Sequence, residues 1–208
     1  MALANPDTVA EARRVVDQLF DGGRPVQIFV RSDSMAYPVP KAILAAASPK
    51  LERLCETSDN IITLDEGLEA LQVLLGWVLK RAVISTDQLV LTEAYTLGKK
   101  FEIPAFSNPV FKALQDQIDV DRKVCPLAMA AAYKNPDLKV LQQRMVRRIS
   151  EGIAADDVGT GLRADWGVAD LKEAGLEDNN AFLRDFFGQV TSTLRKKRSR
   201  EVPANPSQ

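Results

Sequence analysis

Gly159-Thr160-Gly161-Leu162-Arg163-Ala164 has the G-x-G-x-x-A spacing of a dinucleotide fingerprint, in which glycines let a pyrophosphate approach the N-terminus of a helix. Such a fingerprint follows a buried strand. This one follows Ala154-Ala155-Asp156-Asp157-Val158, which reads as a connector between helices, so nucleotide binding here stays an alternative. Leu97-Gly98-Lys99-Lys100 has the ending of a phosphate loop, but Glu93 stands at its first-glycine position and Lys100 where Ser or Thr would bind magnesium; the stretch reads as a helix C-terminus. Asp156-Asp157, and Asp65-Glu66 with Glu69, offer oxygen ligands without the loop spacing of a calcium site. The second group reads as acids answering the dipole at a helix start. Cys55 and Cys125 form no CxxC, and the chain has no histidine, so both read as reduced, buried thiols.

The absence of histidine excludes Ser-His-Asp and Cys-His catalysis, His-ligated metals and histidine pH switching together. No catalytic residue, cofactor or metal site is expected. The 208 residues are 46 % hydrophobic and 26 % charged, the balance of a globular protein, and the net charge of -1 gives no overall pull toward nucleic acid. Direct nucleic-acid binding is not expected. Charge is uneven only at the end, where residues 195–208 hold five bases and one acid. Arg195, Lys196, Lys197, Arg198 and Arg200 form a basic block of nuclear-import type, or a solvated end, and the segment reads as a disordered tail. The N-terminal sequence lacks the apolar run of a signal peptide, and the most apolar stretch, Leu68 to Leu79, is too short for a membrane span. An intracellular protein of nucleus or cytoplasm, without a membrane partner, is expected.

The elements that must position these residues follow from periodicity. Val9, Ala12, Val16 and Leu19 lie on one face of a helix over 7–20 that Gly22-Gly23 ends. Val26, Ile28 and Val30 alternate with Gln27, Phe29 and Arg31, and after Ser32-Asp33-Ser34 the alternation resumes at Met35, Tyr37 and Val39, predicting a β-hairpin. Lys41 to Ala47 predicts a helix, and Ser48-Pro49 caps a second through Leu51, Leu54 and Cys55. Ile61 to Leu64 predicts a third strand, and Leu68 to Leu79 a core helix. Ala82-Val83-Ile84 predicts a short edge strand before a helix capped by Ser85-Thr86-Asp87, with Val90, Ala94, Leu97 and Phe101 inward. Asn108-Pro109 predicts the first turn of another helix, carrying Val110, Phe111, Leu114 and Ile118. Helices over 126–133, 137–151 and 180–194 complete the chain, the last with Leu183, Phe186, Phe187, Val190 and Leu194 on its apolar face.

This order over residues 19 to 118 resembles the BTB/POZ fold. Leu19-Phe20-Asp21-Gly22-Gly23 with Val26-Gln27-Ile28-Phe29-Val30 resembles the family's opening strand. Tyr37-Pro38-Val39-Pro40-Lys41 running into Ala42–Leu51 is similar to its strand-to-helix motif, in which Ser caps the second helix. Leu74–Leu79 and Ala94–Pro104 resemble the core helix and the closing helix, break, helix segment. The family's Asp-Val and Val-His-Lys are here Pro25-Val26 and Val39-Pro40-Lys41, so an acid usual at its dimer interface is missing. The hydrophobic-x-acid motif of cullin-binding members has its nearest match in Ile84-Ser85-Thr86-Asp87, with the acid one position late.

The resemblance implies an α+β domain over 24–118 with a small, mostly three-stranded sheet flanked by helices. An N-terminal helix and turn over 1–23 precede it, and a helical extension over 119–194 and the tail 195–208 follow. It implies a non-enzymatic protein-interaction module, a dimerising scaffold or an adaptor for a cullin-based ubiquitin ligase. Candidate self-association residues are Val9, Val16, Leu19, Ile43, Leu44 and Leu51. Candidate cullin-type contacts are Ile84, Asp87 and Leu89.

Overall fold

Val26, Ile28 and Val30 are buried and Gln27 and Phe29 half-buried along the first strand, the alternation of a strand with one apolar face against a core. The computed structural model describes residues 24–30, 34–121, 123–155 and 168–201. The order is β1 (Val26–Val30), β2 (Ala36–Val39), α1 (Lys41–Ala47), α2 (Pro49–Thr57), β3 (Ile61–Leu64), α3 (Leu68–Lys80), α4 (Gln88–Lys100), α5 (Pro104–Asp121), α6 (Pro126–Tyr133), a 3-10 turn (Pro136–Leu138), α7 (Lys139–Ala155), α8 (Val168–Glu173) and α9 (Asn180–Glu201). The protein is mixed α+β, a small three-stranded sheet among many helices. The helix expected over 7–20, with Val9, Val16 and Leu19, and the glycine stretch 159–164 lie outside the described residues.

Two compact units divide the chain. The first takes residues up to Ser85 with Leu97–Val110, and the second takes Thr86–Thr96 with the residues from Phe111 onward. Helices α4 and α5 therefore each contribute to both, and the boundary expected at residue 118 falls inside α5.

In the first unit the strand order is β2-β1-β3. β2 is antiparallel to β1, with Ile28 opposite Tyr37, and β3 is parallel to it, with Ile28 beside Ile62. Pro38 fits β2 because that strand is an edge. α3 packs Ala70, Leu71, Val73, Leu74 and Trp77 inward, and the Trp77 ring lies 5.4 Å from Phe106.

Two expected features of this unit are corrected. Ala82-Val83-Ile84 is not a strand: Ala82 and Ile84 are exposed and Val83 half-buried, so extended pairing would bury no apolar face. α5 begins at Pro104, which suits the first turn, and Pro109 lies inside the helix. The proline leaves the Ala105 carbonyl without its helical donor, a cost lowered where that residue is exposed, as Ala105 is. Glu66, just before α3, is 7 % exposed, and Lys100 Nζ stands 3.4 Å from its Oε2.

In the second unit α7 turns Leu141, Met145, Val146 and Ile149 inward, with Leu138 in the preceding turn. Gln142 Nε2 donates to the carbonyls of Ala132 at 3.0 Å and Asn135 at 2.9 Å, satisfying the chain where α6 gives way to α7. Gln88 does the same between α5 and α6. Its Nε2 donates to Asp121 Oδ2 and the Lys123 carbonyl, and its Oε1 accepts from the Cys125 N–H.

Two further expectations change here. Along α4, Leu91 rather than Val90 is buried, followed by Ala94 and Tyr95. In α9 the buried anchor is Phe182, stacked on Phe186 and edge-on to Tyr133, while Phe187 is 62 % exposed and Leu194 is exposed too. The segment expected as a disordered tail continues α9 as far as Glu201. Arginine and lysine are good helix formers, and cations suit the C-terminal end of a helix dipole.

Candidate functional site

The candidate interaction residues of the first unit gather on α1 and α2. Ser48 lies between the helices and is 2 % exposed. Its Oγ accepts from the N–H groups of Lys50 at 3.0 Å and Leu51 at 3.3 Å, so it caps α2, with Pro49 in the first turn. The same hydroxyl donates to the Phe101 carbonyl at 2.7 Å. Beside it, Lys50 Nζ lies 2.8 Å from Glu102 Oε1, and this cation holds the exposed Glu102 carboxyl below its ordinary range.

Leu44 and Leu51 are 1 % and 2 % exposed. Their side chains are committed to the core of their own unit, and as surface contacts for a second copy both are withdrawn. Ile43 is half-buried, and beside it Ala42 and Ala46 are exposed. These three share the outward side of α1, because positions four apart lie one above the other on a helix. α1 thus keeps an apolar surface made mostly of small side chains.

The candidate cullin-type residues are placed separately. Ile84, in an irregular segment after α3, is 65 % exposed. Asp87 Oδ1 accepts from the N–H groups of Leu89 at 2.8 Å and Val90 at 3.0 Å, so its carboxylate is engaged as the cap of α4. Leu89 is half-buried. Of the basic block, Arg195 and Lys196 are exposed and Lys197 half-buried on the last turns of α9, and Arg198 and Arg200 belong to the same helix.

The motifs with possible chemistry have structural placements. Gly98 is a packing glycine: a Cβ there would stand 2.5 Å from Ser107 Oγ and 3.0 Å from the Phe106 ring. The helix C-terminus expected there is present. The Ile103 N–H donates to Gly98 O and the Glu102 N–H to Lys99 O, with Glu102 in the left-handed region at φ 56°, a Schellman ending. Cys55 is buried and its thiol is pushed up by desolvation. Cys125, expected to be buried, is half-exposed because it sits at the start of α6. Among the described residues no group of three or more acids and thiols is placed to hold a metal ion, and no helix is long and apolar enough to cross a membrane.

Sequence reasoning missed the buried glutamines and Tyr133. The Tyr133 hydroxyl donates to Asp185 Oδ2 at 3.1 Å, and burial, followed by the Asp185 charge and that hydrogen bond, pushes the phenol well above its ordinary range. A lone Tyr or Gln in a helix carries no spacing signal, since its partner is brought by the fold. Compared with known proteins, the chain matches no family model and no curated relative.

Proposed function

We propose that this chain is a non-enzymatic protein-interaction scaffold of BTB/POZ type that self-associates through the outward side of α1. The family reading is supported by the order of the first unit: a hairpin, two short helices joined at a capping serine, a strand parallel to the first, and an apolar helix. Self-association rests on one observation. α1 turns Leu44 inward yet leaves Ala42 and Ala46 exposed and Ile43 half-exposed. Small side chains let two helix backbones approach closely, and a two-fold pair needs one self-complementary patch on each copy. Solution mass tests it, with Ala46→Arg as the variant that blocks close approach without touching the core.

A second reading, an adaptor for a cullin scaffold, is favoured by Ile84, whose large apolar side chain is 65 % exposed in an irregular segment. It requires that purified chain bind a purified cullin N-terminal region and that Ile84→Asp abolish the binding. No binding by the wild-type chain removes this reading and leaves the scaffold standing.

A further inference from the structure

Within the second unit, Tyr133 at the end of α6 reaches Phe182 and Asp185 in the first turns of α9, and α7 and α9 pack against each other. Between them lies a groove of about 1310 Å³. Its walls carry five cations: Arg144 and Arg147 from α7, and Arg184, Lys196 and Lys197 from α9. The two wall carboxylates are engaged locally. Glu151 lies 2.8 Å from Arg147 Nε, while Asp185 accepts from Tyr133 and stands 3.4 Å from Arg184 Nε. Arg144 and Lys196 are exposed and take part in no ion pair among the described residues.

Two further features show room for an apolar contact. Val140 is 62 % exposed on the α7 wall. On the α9 wall Gly188 lines the groove in the interior of the helix, and a Cβ built on it would meet nothing within 4 Å. Glycine is the poorest helix-interior residue after proline, and no neighbour inside the unit requires it here. The bare backbone keeps the groove open between cationic rims.

We infer that the α7–α9 groove docks an acidic amphipathic helix of a partner protein. Carboxylates along the edges of that helix meet Arg144 and Lys196, and apolar side chains seat against Val140 and against the bare backbone at Gly188. α7 has 17 residues, so a partner helix of about fifteen residues matches its length. A nucleic-acid strand fits less well. Among the described residues no aromatic ring lines the groove for base stacking. The inference stands apart from the α1 surface and does not depend on it.

The test is fluorescence anisotropy with the full-length chain and a labelled helical peptide of about fifteen residues, Glu along its edges and Leu along one face. The expected result is saturable binding that weakens with salt, weakens about tenfold in Arg144→Glu/Lys196→Glu, and weakens again in Gly188→Leu, which changes no charge. Circular dichroism of the variants should match wild type, since these positions are exposed or open. No binding up to millimolar peptide overturns the inference. So does binding that neither variant changes, or displacement of the peptide by a single-stranded oligonucleotide that binds more tightly.

Discussion

Ser48 and Phe101, 53 positions apart, are joined by a 2.7 Å hydrogen bond from the serine hydroxyl to the phenylalanine carbonyl. The same oxygen caps α2. Ser48→Ala removes the cap and strands a carbonyl of the α4 ending, so a loss of about 1–3 kcal/mol is expected. Urea denaturation of the two proteins measures it. A change in midpoint within error of zero would show that water replaces both roles.

Gly98 and Ser107 are packed too closely to admit a methyl group between them. The serine cannot turn away freely, because its Oγ is buried and donates to the Ile103 carbonyl. Gly98→Ala is expected to cost about 1–3 kcal/mol through overpacking. Ser107→Ala in the same chain removes the nearest clashing atom, so the double variant should be more stable than the sum of the singles predicts. Simple additivity in thermal melts would place the strain elsewhere.

The Tyr133 phenol, raised by burial and by Asp185, has a signed pH consequence. A phenol whose folded pKa is raised contributes stability fully below the unfolded value of about 10, and loses it as pH climbs through the folded value. Stability should therefore fall on the alkaline side only. Tyr95 is raised as well, by burial. Ultraviolet titration of the native protein should show these two phenols ionising later than in denaturant, and Tyr133→Phe should remove one late component. Titration of all three tyrosines near 10 in the folded state would contradict the burial seen here.

The two thiols should separate in rate. Cys55 is buried and its thiol is raised, while Cys125 is half-exposed at the start of α6. A thiolate is the reactive form, so an aromatic disulfide reagent should modify Cys125 first and Cys55 only on unfolding. Cys125→Ser should abolish the fast phase. Retention of that phase in the variant would place Cys55 at the surface.

What the sequence made legible was local. Alternation at Val26, Ile28 and Val30 and the Ser48-Pro49 cap each lie within a few residues of the element they specify, and the structure has them where expected. Ala82-Val83-Ile84 misled because β-branched character reports a preference, and a strand also needs an edge and a face to bury. The ending of α4 was hidden in one detail: Glu102 takes the left-handed position that glycine usually marks. At the interaction surface, Ile43, Leu44 and Leu51 look alike as apolar residues. Only the sheet and α3 decide that Leu44 and Leu51 are consumed by the core while Ile43 stays at its margin. The groove was equally hidden, because its cations come from two helices separated by some 40 positions of chain, and the basic block read as a tail when taken alone.

The scaffold account is tested most directly by light scattering across a dilution series of the full-length chain, wild type beside Ala46→Arg. The account predicts a wild-type mass twice that of one chain at tens of micromolar, falling on dilution, and a folded Ala46→Arg monomer throughout. A wild-type monomer at every concentration, or a folded variant that remains dimeric, would contradict self-association through α1.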